Sequence, residues 1–217
     1  MTQPEQDRPG TDSNDVGDSA NDADAATTAD ATAATTTVTT PTVSTHRRTL
    51  ILFAIAFALV AVDIVSKIII VATVQPGENV RVLGGLVYFT QIRNGGAAFN
   101  MATGMTWLLA VIALGVVVFI IKMAPKLKST PWAVCLGLIL GGAVGNLLDR
   151  IFRAPGVMQG HVVDFVSVFG PNAEHFPAFN AADSGISIGG VLLVVLAVLG
   201  YDYDGTRHHK SSDGDRG

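Results

Sequence analysis

Four long apolar runs, separated by polar connections rich in glycine and proline, organise the sequence from residue 50 onward. The first, Leu50 to Val74, meets the requirement of about 20 residues for a helix to cross a hydrocarbon core. Met105 to Ile121, Trp132 to Leu148 and Gly185 to Tyr201 sit near the short end of the spanning range, each extendable by a turn. The pattern therefore predicts transmembrane helices at about 50–74, 105–121, 132–148 and 185–201. Ahead of them, Met1 to Thr45 is a tract of Asp, Ala, Thr, Ser and Pro that cannot bury enough surface to offset its ordering entropy, and it reads as a disordered acidic tail. It has neither the charge pattern nor the apolar core of a secretory signal. Residues 204–217 read as a second disordered tail, leaving 46–203 as the folded domain.

The connections are not uniform. Gln75 to Met101 carries a Pro76-Gly77 turn, the extended-looking RVLGGLVYFTQI and the glycines Gly84, Gly85, Gly95 and Gly96, which suggest short strands joined by turns on the membrane surface. Phe152 to Asp183 mixes Pro155, Gly156, Gly160, Pro171 and Pro177 with the strand-like HVVDFVSVF. The fold class expected is all-α and membrane-embedded: a four-helix bundle with a small extracytoplasmic sheet and loop region.

Composition agrees, with 49% hydrophobic and only 15% charged residues, too apolar for an ordinary soluble domain. The formal net charge of -4 misleads, because eight of the eighteen acids lie in the first thirty residues; without them and Arg8, ten acids face thirteen Lys and Arg. Arg47 and Arg48 precede the first helix and Lys122, Lys126 and Lys128 fill the second connection, which places both stretches and both termini in the cytoplasm. The first and third connections then lie outside. Trp107, Trp132 and Tyr201 stand near helix ends, where amphipathic rings favour the interface. The single cysteine, Cys135, allows no intramolecular disulfide and reads as a space-filling group between helices.

Ionisable groups at bilayer depth are costly and are normally paired or functional. Asp63 and Lys67, four apart in the first helix, share a face; the plain reading is a buried ion pair that fixes packing. In GLILGGAVGNLLDR, Gly137, Gly141 and Gly145 have the spacing that lets another backbone approach. Asn146, Asp149 and Arg150 follow at the outer end of that helix. Asn146 and Arg150 share a face suited to a peptide carbonyl or an acidic neighbour, against the alternative of a solvated helix end. Asp164 in HVVDF and Asp183 in FNAADSGISIGG bracket one connection and occupy the same outer side. Two carboxylates sharing a site cannot both ionise cheaply, so one would act as acid while the other activates water. Spacing alone favours a plainer reading, each Asp a cap or loop ligand, Asp183 at the start of the fourth helix.

The set VDIVSK, NGGAAFN, GGAVGNLLDR, HVVDF and FNAADSGISIG, in this order across four helices, resembles the lipoprotein signal peptidases, signal peptidase II, an intramembrane aspartic peptidase family. The resemblance covers about Thr49 to Tyr201. It implies a catalytic dyad of Asp164 and Asp183, with Asn146, Arg150 and Asn180 lining the site and Asn94 to Phe99 in a substrate-facing outer segment. It also implies removal of signal peptides from bacterial prolipoproteins, with cleavage just before a diacylglyceryl-modified cysteine. The site is expected at the outer face of the bacterial cytoplasmic membrane. Ala181 and Gly185 replace residues often bulkier in the family, which touches packing more than chemistry. The partners expected are lipid-modified prolipoproteins and membrane lipids, with no nucleic acid, no cofactor and no metal, and the chain is expected to act as a monomer.

Three other readings compete. A serine peptidase with Lys67 as base has Ser66, Ser167 and Ser184 available, but Ser66 points about 100° around the helix from Lys67. A zinc peptidase finds no HExxH motif, and His161 and His175 lie in a loop without a third ligand at a matching spacing. A small transporter or structural bundle would use Asp63 and Lys67 as a polar path, but no internal repeat is visible.

Overall fold

The computed structural model describes residues 45–96 and 105–207. The Met1 to Thr45 tail, all but the first residues of the C-terminal tail, and Ala97 to Phe99 of the outer segment fall outside this described part, apart from the helical backbone of Thr45. Four helices are long and apolar enough to cross a membrane: α1 (Thr45–Thr73), α2 (Thr106–Met123), α3 (Thr130–Phe152) and α4 (Ala181–Val198). Helices of this kind satisfy their own backbone groups, which is what a water-free core demands. Phe57 (76% exposed), Phe119 (62%) and Val198 (81%) point away from the bundle, an outward apolar face that lipid would cover.

Four helix limits differ from expectation in ways that matter. α1 starts before Leu50, at Thr45. α3 runs through Phe152 rather than stopping near Leu148, so Asn146, Asp149 and Arg150 are helical. All three are buried, which overturns the solvated-end alternative. α4 begins at Ala181, four residues before Gly185, because Asn180 forms a capping box with Asp183, and it ends at Val198 rather than Tyr201.

α3 is the central helix: 61% of its apolar window is buried inside the protein, against 17% for each of the others. Its glycines explain the close packing. A Cβ on Gly141 would stand 2.8 Å from the Ala56 carbonyl oxygen of α1, and one on Gly145 would stand 2.7 Å from Asp63 Oδ2. Gly142, outside the spacing read from the sequence, would drive a Cβ into the Ala182 carbonyl of α4. Small residues therefore admit backbone on two sides of α3. Cys135 is buried and unpaired in this helix.

Strands β1 (Asn79–Val82), β2 (Val87–Asn94) and β3 (Val162–Val168) form one antiparallel sheet in that order. The β1–β2 hairpin closes with Val82 opposite Val87, through a 3-10 turn at Leu83–Gly85. β2 pairs with β3 so that Ile92 faces Asp164 and Asn94 faces Val162, with a register shift between Phe89 and Ile92. The sheet sits over the end of α1, where Ile70 and Val74 pack with Phe165, and the rings of Phe89 and Phe165 lie 6.4 Å apart. At the opposite end of the bundle the Tyr203 carbonyl accepts the backbone N–H groups of Lys128 and Ser129, at 2.8 and 3.1 Å. Trp132 Nε1 donates to the Tyr201 carbonyl there at 3.0 Å.

Candidate active site

The polar groups gather where the sheet meets the ends of α1 and α3 and the start of α4. β3 carries Asp164, which is 3% exposed, and the first turn of α4 carries Asp183. Asn180 lies between them: its Nδ2 donates to Asp164 Oδ1 at 2.7 Å, and its Oδ1 accepts the Asp183 backbone N–H at 2.9 Å. The second oxygen of each carboxylate is also engaged. Asn94 Nδ2 donates to Asp164 Oδ2 at 2.8 Å, and the Asn180 backbone N–H donates to Asp183 Oδ2 at 3.2 Å. Asn146 Nδ2 donates to Asp183 Oδ1 at 2.7 Å. Asp183 thus does contribute to the helix start, as the plain reading held, while its remaining oxygen faces Asn146.

Behind this layer, Lys67 Nζ lies 2.6 Å from Asp63 Oδ2 and 2.9 Å from Asp149 Oδ2, all three side chains buried. The expected Asp63–Lys67 pair is present, but Lys67 has a second carboxylate that the sequence reading left without a role. Asp149 also pairs with Arg153 and accepts the Val163 backbone N–H at 3.2 Å, tying α3 to β3. Asp63 Oδ1 accepts the Ala182 backbone N–H at 3.0 Å, one of the orphan donors at the start of α4. Lys67 Nζ reaches Asn146 Oδ1 at 3.3 Å. The buried ions therefore set the position of the residues that hold Asp164 and Asp183.

Asp164 and Asp183 both line a cavity of about 550 Å³, together with Asn94, Asn146, Arg150, Phe176, Phe179 and Ile186. Arg150 Nη1 donates to the Asn146 carbonyl at 3.1 Å, and its buried Nε has no partner among the described residues. A second cavity of about 510 Å³ on the sheet side is also walled by Asn94 and Asp164, with Arg93, Asn172, Glu174 and His175. Burial, and then the neighbouring Asp183 carboxylate, push Asp164 up to about 7; the hydrogen bonds from Asn94 and Asn180 act the other way.

The comparisons with known proteins bear on this geometry. Residues 55–199 match the family described as signal peptidase (SPase) II. The chain belongs to the signal peptidase II family. It is 55% identical over 163 residues to the lipoprotein signal peptidase of Rhodococcus jostii (strain RHA1), covering 75% of this chain and 80% of that protein. It is 49% identical over 164 residues to the lipoprotein signal peptidase of Mycobacterium tuberculosis (strain ATCC 25618 / H37Rv), covering 75% and 79%. Its fold is similar to a bacterial membrane enzyme solved at 2.3 Å resolution, with a TM-score of 0.60 and 30% identity over 68% of this chain and 87% of that one. As a signal peptidase II family member with four spanning helices, the protein is a multi-pass membrane peptidase.

The serine alternative loses its geometry. Lys67 Nζ is held by Asp63, Asp149 and Asn146, while Ser66, Ser167 and Ser184 each donate to a backbone carbonyl, of Asp63, Gly170 and Asn180 respectively.

Proposed function

We propose that this chain is an aspartic endopeptidase that removes signal peptides from prolipoproteins, cleaving just before the diacylglyceryl-modified cysteine, with Asp164 and Asp183 as the catalytic dyad. The observation that carries the reading is that the two carboxylates wall one cavity and are joined through a single buried residue, Asn180. The ionised member takes a proton from water as its oxygen attacks the scissile carbonyl carbon, and the protonated member gives its proton to the carbonyl oxygen. The tetrahedral gem-diol then collapses: the C–N bond breaks, the proton taken from water leaves on the departing amine, and one gem-diol hydroxyl returns its proton to the dyad, which leaves a carboxylic acid and restores the starting protonation. No acyl-enzyme forms.

Arg150 supports the reaction from the cavity wall, its guanidinium suited to a substrate carbonyl. Asn94, Asn146 and Asn180 hold the carboxylates, and Asp63 and Lys67 position α4 and Asn146 behind them. The apolar part of the cavity wall, Phe176, Phe179 and Ile186, suits a substrate that arrives as a membrane helix bearing two acyl chains. The peptidase unit is residues 46–203, acting as a monomer in the bacterial cytoplasmic membrane, with both termini cytoplasmic and the dyad at the outer face.

Cleavage of a synthetic prolipoprotein segment by the purified full-length protein, with and without diacylglyceryl on the cysteine, tests this substrate. The lipidated form should be cut immediately before the cysteine and the unmodified form at least about a hundredfold more slowly, because remote binding energy is used in the transition state. Equal rates would remove the lipid from the specificity.

A further inference from the structure

A third recess, of about 600 Å³, lies beside the catalytic cavities and is lined by Arg93, Arg153, Ala154, Pro155 and His161. Its polar side chains come from three segments: Arg93 from the end of β2, Arg153 from the residue after α3, and His161 from the residue before β3. The loop between α3 and β3 is tied down. Gly160 N–H donates to the Arg150 carbonyl and His161 N–H to the Ala154 carbonyl, each at 3.0 Å. The His161 ring packs against Gly95, where an added Cβ would stand 2.9 Å from Nε2.

Charge in this region is not balanced. Asp63 and Asp149 are matched by Lys67 and Arg153, which leaves Arg93 without a carboxylate partner among the described residues. Its neighbour Gln91 offers only an amide oxygen, 2.9 Å from Nη2. Burial, and then the Arg153 guanidinium, push the Arg93 guanidinium below its ordinary range, with the Asp149 carboxylate acting the other way. Planar guanidinium forks recognise phosphate oxygens in pairs.

The recess also lies at the end of a spanning helix. Phe152, the last residue of α3 and the chain neighbour of Arg153, and Val157, two residues after Pro155, are 76% and 73% exposed. Apolar side chains this exposed, next to arginines at the membrane boundary, match the two halves of a phospholipid. We propose that the recess binds the phosphodiester headgroup of an anionic phospholipid through Arg93, Arg153 and His161, with the acyl chains against Phe152 and Val157. A free phosphate offers the same oxygens but nothing for the two apolar side chains. Arg93 also lines the sheet-side cavity that Asn94 and Asp164 share, so a bound lipid would form one border of the catalytic region.

Native mass spectrometry of the full-length protein, released from micelles containing equal phosphatidylglycerol and phosphatidylcholine, tests this directly. The wild type should retain phosphatidylglycerol about tenfold over phosphatidylcholine, and Arg93→Gln should lower that ratio about tenfold, the worth of one charge-assisted hydrogen bond. Arg93→Lys, which keeps the charge without the fork, should fall between them, and it reads the same ratio should Arg93→Gln fold poorly. Millimolar inorganic phosphate should leave the ratio unchanged. Equal retention of the two lipids, or a ratio unaffected in both variants, overturns the site. Displacement of the lipid by inorganic phosphate overturns the lipid as its ligand.

Discussion

Asn180 joins Asp164 to Asp183 directly, donating to the first at 2.7 Å and accepting the backbone N–H of the second at 2.9 Å. One buried residue thus caps α4 and ties Asp164 to the first turn that carries Asp183, so the fold and the proposed chemistry share a side chain. Asn180→Ala should destabilise the protein by about 1 kcal/mol or somewhat more through the lost cap. Activity should fall further, about a hundredfold per folded molecule, because small misplacements of reacting groups are costly. Thermal unfolding and cleavage rate measured on one preparation separate the two effects. A loss of activity no larger than the loss of folded protein would make Asn180 only a cap.

Lys67 is shared by two carboxylates, so its removal and that of Asp63 are not equivalent. Lys67→Met leaves Asp63 buried with no cation and Asp149 with Arg153 alone, and about 3–5 kcal/mol of stability should be lost. Asp63→Asn keeps an oxygen for the Ala182 N–H and leaves Lys67 with Asp149, so its cost should be less than half as great. Abundance in the membrane and the unfolding temperature of purified variants give the order. Equal effects would mean that Asp149 does not support Lys67.

The pH dependence of kcat/KM should have an alkaline limb near 7, the point to which burial and Asp183 raise Asp164. Asn94 donates to the Asp164 carboxylate and so favours its ionised form. Without that bond the proton is held to higher pH. Asn94→Ala should therefore shift the alkaline limb upward while lowering the maximum. A limb that stays in place, or moves down, would show that Asp164 does not govern it.

Orientation can be read with single cysteines at Lys126 and Asn172, both exposed and on opposite sides of the bundle, in a background where Cys135 is buried. An impermeant thiol reagent added to intact cells should label Asn172→Cys and spare Lys126→Cys. The reverse pattern would place the dyad on the cytoplasmic side.

Much of this architecture is written locally. The four helices follow from apolar length, and the β1–β2 hairpin and β3 from extended segments with turn residues between them. The end of α3 was hidden because Asn146, Asp149 and Arg150 look like a boundary to lipid, yet each finds partners inside the protein and the helix continues. The start of α4 was hidden for a related reason: Asn180 and Asp183 have the spacing of a capping box, but the motif reads first as chemistry. The bond from Asp63 to the Ala182 N–H joins positions 119 residues apart, and no periodicity announces such a contact. Spacing put Asp164 and Asp183 on one side of the membrane; singling them out as a pair took the family resemblance.

The most direct test of the dyad is the cleavage rate of a lipidated prolipoprotein segment by purified Asp164→Asn, Asp183→Asn and the double variant, normalised to folded protein. Asn keeps the size and much of the hydrogen bonding of Asp while removing its acid–base capacity. Because members of one catalytic unit act non-additively, each single variant should lose at least about a hundredfold and the double variant should be scarcely worse than either. Either single variant retaining more than about a hundredth of the wild-type rate, below the loss expected on removing a general acid or base, would contradict the assignment.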